Sequence, residues 1–146
     1  MELIGFDLEE IMTRMKAKKF SLKTVLMIGL QAIDRIEALH AIGYVHRDIK
    51  PDNLAIGSKE KNNVIYLFDF GLVIKASDPL PSEEKGKMIG TLGFMSVRCH
   101  EGKKANYYDD LESFVYTLVY LAIGILPWMN INVKTAADYH RIRVMK

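Results

Sequence analysis

Asp48, Lys50, Asn53 and Asp69 are the residues whose types and spacing could do chemistry. The first three lie in His46-Arg47-Asp48-Ile49-Lys50-Pro51-Asp52-Asn53, and the fourth opens Asp69-Phe70-Gly71 after a short apolar run. Moving a phosphoryl group from ATP to a hydroxyl needs a carboxylate near the attacking oxygen and a cation on the transferring phosphate. It also needs oxygen ligands for the magnesium that bridges and neutralises the phosphates. Asp48, Lys50, Asn53 and Asp69 supply those four in order, the last two as metal ligands. Gly71 permits a sharp turn after the metal ligand, and Phe70 can pack behind it.

Either motif alone is a common accident of composition. An eight-residue match, a metal triplet one hairpin downstream and a strand leading into that triplet form a context that P-loop and Rossmann folds do not produce. The combination points to a protein kinase origin. His46 reads as a residue packed under the loop rather than an acid or base. Arg47 has two readings, a partner for a phosphate on the following loop or a plain hydrogen-bond brace.

The elements that must hold these residues follow from the periodicity. Ser21 can cap a helix whose apolar positions Leu22, Val25, Leu26, Ile33, Ile36 and Leu39 keep the helical period, with Gly43 placed to end it. Leu54 to Ile56 and Val64 to Phe68 read as a two-stranded ribbon across the turn-forming Gly57 to Asn63. Gly71 to Thr91, with Pro79, Pro81 and Gly86, reads as a long loop of the functional kind, with Ser77 and Ser82 the hydroxyls between Ile74 and Ile89. Asp110 is expected to open an apolar helix that Pro127 closes, and a last helix follows Thr135.

Composition narrows the classes. The chain has 146 residues, enough for one domain, with 49% hydrophobic and 26% charged residues. A formal charge of +2 argues against a nucleic-acid surface. The single cysteine, Cys99, makes no internal disulfide, and His40, His46, His100 and His140 lack the paired spacing of a zinc site. A reducing compartment is expected, the cytoplasm first and the nucleus also compatible. Met1 to Glu10 carries too many acids for a secretory signal. Ser113 to Met129 has no charged side chain, near the lower limit of about 17 residues for a membrane helix. The acids Asp109, Asp110 and Glu112 in front of it favour a buried helix of a soluble core instead.

The chain also resembles the casein kinase one family, and more distantly the tau tubulin and vaccinia related kinases, along nearly its full length. The carrying residues are Met1-Glu2-Leu3-Ile4-Gly5, Lys19 to Val25, Arg35-Ile36-Glu37, the catalytic loop, Gly90-Thr91, Asp109 to Ser113 and Leu126-Pro127-Trp128. The resemblance implies an α+β, mostly helical fold: a kinase large lobe with a short β-hairpin and no amino-terminal lobe, residues 1–146 forming a partial kinase domain cut at both ends. It implies a Ser/Thr protein kinase using ATP and magnesium on protein substrates, with no nucleic acid or membrane partner and an open oligomeric state. Asp48 would be the base, Lys50 the γ-phosphate contact, and Asn53 and Asp69 the magnesium ligands. Glu2 and Ile4 would offer hinge backbone groups to adenine, with Asp7 and Glu10 near the ribose, Ala55 on the pocket floor and Phe68 just before the metal triplet. Asp110 would brace the catalytic loop, and Thr91 would stand beside Asp48 and Lys50.

In place of the Ala-Pro-Glu of most kinases the chain has the stretch around Ser96 and Val97, which this family uses instead. The sequence departs from the family at other points. Leu92-Gly93 and Tyr107-Tyr108 stand where basic residues suited to acidic or phosphorylated substrates are usual. Ala55 stands where a larger apolar residue is usual, which implies a roomier adenine floor. The glycine-rich loop and strand-three lysine have no counterpart, so transfer is expected to need the absent lobe, and apolar helix surface is expected to be left exposed. The alternative is a non-catalytic binding module derived from a kinase.

Overall fold

The structure, a computed structural model, describes residues 4–146. Its backbone begins with strand β1 (Ile4–Asp7) and helix α1 (Leu8–Arg14). The long helix α2 (Leu22–Ala41) follows, then β2 (Tyr44–Val45), β3 (Leu54–Gly57), β4 (Ile65–Leu67) and β5 (Ile74–Lys75). Helices α3 (Val97–His100), α4 (Tyr107–Ile123) and α5 (Ala136–Met145) complete it. The result is the α+β, mainly helical architecture expected.

α2 forms where its pattern places it. The Ser21 hydroxyl accepts from the Thr24 amide at 3.2 Å, and Gly43 adopts φ 87 just past the end. Val25, Ile28, Ala32 and Ile36 face inward onto Phe114 and Leu121 of α4 and onto Leu54 and Ile65 of the sheet. Each large aliphatic side chain buried there contributes about 1.5–3 kcal/mol. Gly29 lets the two helices close: a Cβ on it would meet Leu118 Cδ2 at 3.3 Å.

Two expectations change. The ribbon is a three-stranded antiparallel sheet in the order β1-β3-β4, with Asp7 opposite Ala55 and Leu54 opposite Leu67. β1 was not legible because its pairing to β3 spans some fifty residues of chain. α4 begins at Tyr107 rather than Asp110, because Asn106 and Asp109 form a reciprocal capping box, and it ends at Gly124 in the left-handed region rather than at Pro127. The exposed apolar helix surface that was expected is present: Val115, Val119 and Ile123 of α4 are exposed, as are Leu22, Leu26 and Leu30 of α2, because nothing among the described residues covers them. No helix of the described residues is long and apolar enough to cross a membrane.

Two smaller cores lie beside the main one. Val45, Met95, Cys99 and Ala105 form one, and Phe94, Leu126, Trp128 and Ile142 form the other. The catalytic-loop sequence runs between these cores and the main one. Val45 and Ile49 are fully buried anchors in different clusters, and Arg47, Asp48 and Lys50 beside them are only partly buried. The long loop contains β5, which pairs with β2 through Val45 and Ile74 and so ties its start to the same segment.

Candidate active site

The anchored loop places four polar side chains together. Asp48 Oδ1 accepts from the Thr91 amide at 2.9 Å and the Thr91 hydroxyl at 2.7 Å. Its Oδ2 accepts from Asn53 Nδ2 at 3.1 Å and pairs with Lys50 Nζ at 3.1 Å. Lys50 Nζ also donates to the Thr91 hydroxyl at 2.9 Å, and Asn53 Nδ2 donates to the Asp48 carbonyl at 2.7 Å. Burial pushes the Asp48 carboxyl upward, but the hydrogen bonds from Thr91 and the Lys50 ammonium outweigh it and hold the group below its ordinary value. Asp48 is therefore a carboxylate at neutral pH.

Asp110 supports this loop from α4. It is 1% exposed, and its oxygens accept from the His46 amide at 2.7 Å and the Arg47 amide at 2.8 Å, with His40 Nε2 at 2.8 Å. These bonds hold Arg47 at φ 70, a left-handed conformation that a non-glycine residue adopts only under constraint. Gly90 completes the approach of the following segment, since a Cβ there would lie 2.4 Å from the Arg47 carbonyl oxygen. His46 is fully buried, with Nε2 at 3.1 Å from the Phe68 carbonyl and its ring edge-on to Phe70. Burial holds its pKa low, so it is a neutral packing residue, as its position suggested.

Asp69 sits across the hairpin. The Phe68 amide donates to the Asn53 carbonyl at 3.1 Å, so Asp69 follows directly on the residue bonded to Asn53. Asp69 is exposed and left-handed at φ 57, and its Oδ1 accepts from the Gly71 amide at 3.2 Å. Asn53 is 3% exposed with its nitrogen committed to Asp48, which leaves its side-chain oxygen as the end to offer a cation.

The other sequence-derived positions are more dispersed. Ala55 and Asp7 are register partners, but Ala55 is 1% exposed and the Asp7 carboxylate caps α1 by accepting from the Glu10 amide at 2.7 Å. The Glu10 carboxylate pairs with Arg14. Ile4 lies on the exposed edge of the sheet opposite Gly57, and Phe68 is half-buried. Glu2 lies outside the described residues. The sequence reading did not find Glu84: its carboxylate takes the Arg47 guanidinium by both oxygens, the longer contact 3.4 Å, while Arg47 Nε reaches the Leu72 carbonyl. The acids at 83 and 84 carry no local signal that separates them from solvated surface.

Asp48, half-buried on a loop that Asp110 braces from α4, thus carries Lys50, Asn53 and Thr91 on its two oxygens, and Asp69 opens the turn after the neighbouring strand. A family model described as fungal protein kinase matches residues 14–122, well over half of the sequence, and the chain belongs to that family. The match meets the kinase expectation at the level of the class and does not resolve a casein kinase one type.

Kinases generally use ATP with magnesium, and the donor set fits such an ion. Among the described residues no group of three or more His, Cys, Asp or Glu side chains could hold a metal ion. Magnesium in nucleotide sites is held by one or two protein oxygens together with phosphate and water. Asn53 and Asp69 match that requirement.

Proposed function

We infer that this chain carries the phosphoryl-transfer machinery of a Ser/Thr protein kinase of casein kinase one type, acting on protein hydroxyls in the cytoplasm or nucleus. The observation that carries the reading is the convergence of Lys50, Asn53 and Thr91 on one ionised carboxylate, Asp48, all within 3.1 Å. When bound, magnesium-ATP supplies the transferable phosphoryl group. Asp48 would accept the hydrogen bond of an incoming Ser or Thr hydroxyl, aim its oxygen and take its proton, with ADP as the group that leaves when the γ-phosphoryl passes to that oxygen. A depressed pKa suits orientation more than early proton abstraction. Lys50 is already poised beside Asp48 and sets its positive charge against the charge developing on the transferred group. Asn53 and Asp69 would hold the metal.

The test is transfer of the ATP γ-phosphate to casein or a basic peptide with magnesium present. Asp48→Asn keeps the shape and removes the charge, so the expected loss is about 10²–10⁴-fold. Equal transfer by both proteins, or none by either, overturns the enzymatic reading and leaves the binding-module alternative.

A further inference from the structure

Lys23, Leu26, Leu30, Asp34 and Glu37 follow one another at intervals of three or four residues, so they form one stripe along α2, and all five are exposed. Read from its start, the stripe is a cation, two leucines and two acids, and Lys19, also exposed, stands just ahead of the helix. Arg35 turns away from it, its Nε donating to the Ile65 carbonyl at 3.2 Å.

α4 runs antiparallel beside this stripe. The Phe20 amide donates to the Leu121 carbonyl at 2.8 Å at one end, and His40 meets Asp110 at the other. The α4 residues from Ser113 to Ile123 carry no charge. Leu26, Gly29, Leu30, Ile33, Phe114 and Leu118 line a groove of about 410 Å³ between the two helices. Leu22 is 68% exposed, Leu26 58% and Leu30 70%, and with Val115, Val119 and Ile123 they present on the order of 600 Å² of apolar surface. That is the upper end of what a monomer leaves to water, and with its charged rim the face approaches the roughly 800 Å² that each partner of a standard interface buries.

We propose that this face binds the same face of a second copy of the chain, the two α2 helices lying antiparallel about a two-fold axis. A two-fold contact needs a surface complementary to itself. Reversed about the Leu26–Leu30 step, the stripe sets the leucines of one copy against those of the other. It also brings Lys19 and Lys23 of each copy to Asp34 and Glu37 of the other, whereas a parallel pair would oppose like charges. Apolar burial in the groove supplies the affinity, and the charges fix the direction. The inference stands apart from the phosphoryl-transfer reading, because the face uses none of the side chains that meet at Asp48.

Sedimentation equilibrium of the full chain tests it, with circular dichroism checking the fold of each variant. The expected result is a monomer–dimer equilibrium in the micromolar range that Leu26→Glu weakens at least tenfold. Lys19→Glu with Lys23→Glu weakens it to the same degree, as does Asp34→Lys with Glu37→Lys, since each pair of changes puts like charges at both ends of the interface. Mixed in equal amounts, these two double variants form a heterodimer close to wild type in affinity, because every end then meets its opposite. A wild-type chain that stays monomeric throughout that range overturns the proposal and assigns the face to a different protein. Dimers that survive Leu26→Glu, or a mixture that associates no better than its separate components, overturn it as well.

Discussion

Asp110 shows how much one buried side chain controls. Its two oxygens accept from successive backbone amides of the loop and from His40. Those bonds are made in a site almost closed to water, where an unmade hydrogen bond costs the full desolvation of the group. Asp110→Ala orphans both amides and frees Arg47 to leave its left-handed conformation. The expected loss is about 2–4 kcal/mol of unfolding free energy, read from urea denaturation, with phosphate transfer falling alongside. Asp110→Asn keeps one acceptor and should lose less. A midpoint unchanged in Asp110→Ala would remove the brace from the account of the site.

At the scale of elements, the segment from Gly71 to Thr91 is pinned at three places. β5 ties its start to β2, Thr91 ties its end to Asp48, and the Arg47–Glu84 pair holds its middle. The paired side chains are 6% and 23% exposed, so the pair is partly shielded from solvent and stronger than a surface ion pair. Glu84 already supplies a carboxylate to the arginine that the sequence left open to a loop phosphate. Glu84→Ala should raise tryptic cleavage after Lys85 and Lys87 by roughly tenfold, the change in open population expected from about 1.4 kcal/mol. The global midpoint should move little, because the loop is not part of the main core. Cleavage rates unaffected by the substitution would show that the pair does not order the loop.

For the molecule as a whole, His100 at the end of α3 carries a pH liability. Both ring nitrogens of His100 are buried without a hydrogen-bond partner in the described structure, and burial with the nearby Lys146 and Arg143 lowers its pKa to about 4. The folded value lies below the ordinary 6.5, so the unfolded chain binds more protons between those limits. Stability should therefore fall as pH drops from about 6.5 toward 4, ahead of the loss from protonating Asp48, whose folded pKa is below that of a free carboxyl. His100→Leu should flatten the decline of the thermal midpoint across that window. An identical acid slope in wild type and His100→Leu would assign the liability to other groups. Cys99 beside it is inert by the same burial, which pushes its thiol pKa up.

What could be read along the chain was whatever local chemistry dictates. The helical period and Ser21 cap of α2, the turn before β4 and the spacing of Asp48, Lys50, Asn53 and Asp69 depend on neighbours within a few residues, so they stand in the sequence itself. The start of α4 was misread because the Asn106–Asp109 capping box outweighs the acids that seemed to mark it. Only folding decided what depends on distant partners: β1 on β3, Glu84 on Arg47, and Gly29 against Leu118 of α4. Hydrophobic packing and long-range hydrogen bonds choose such pairs from many equivalent residues, and no local pattern records which pair will meet.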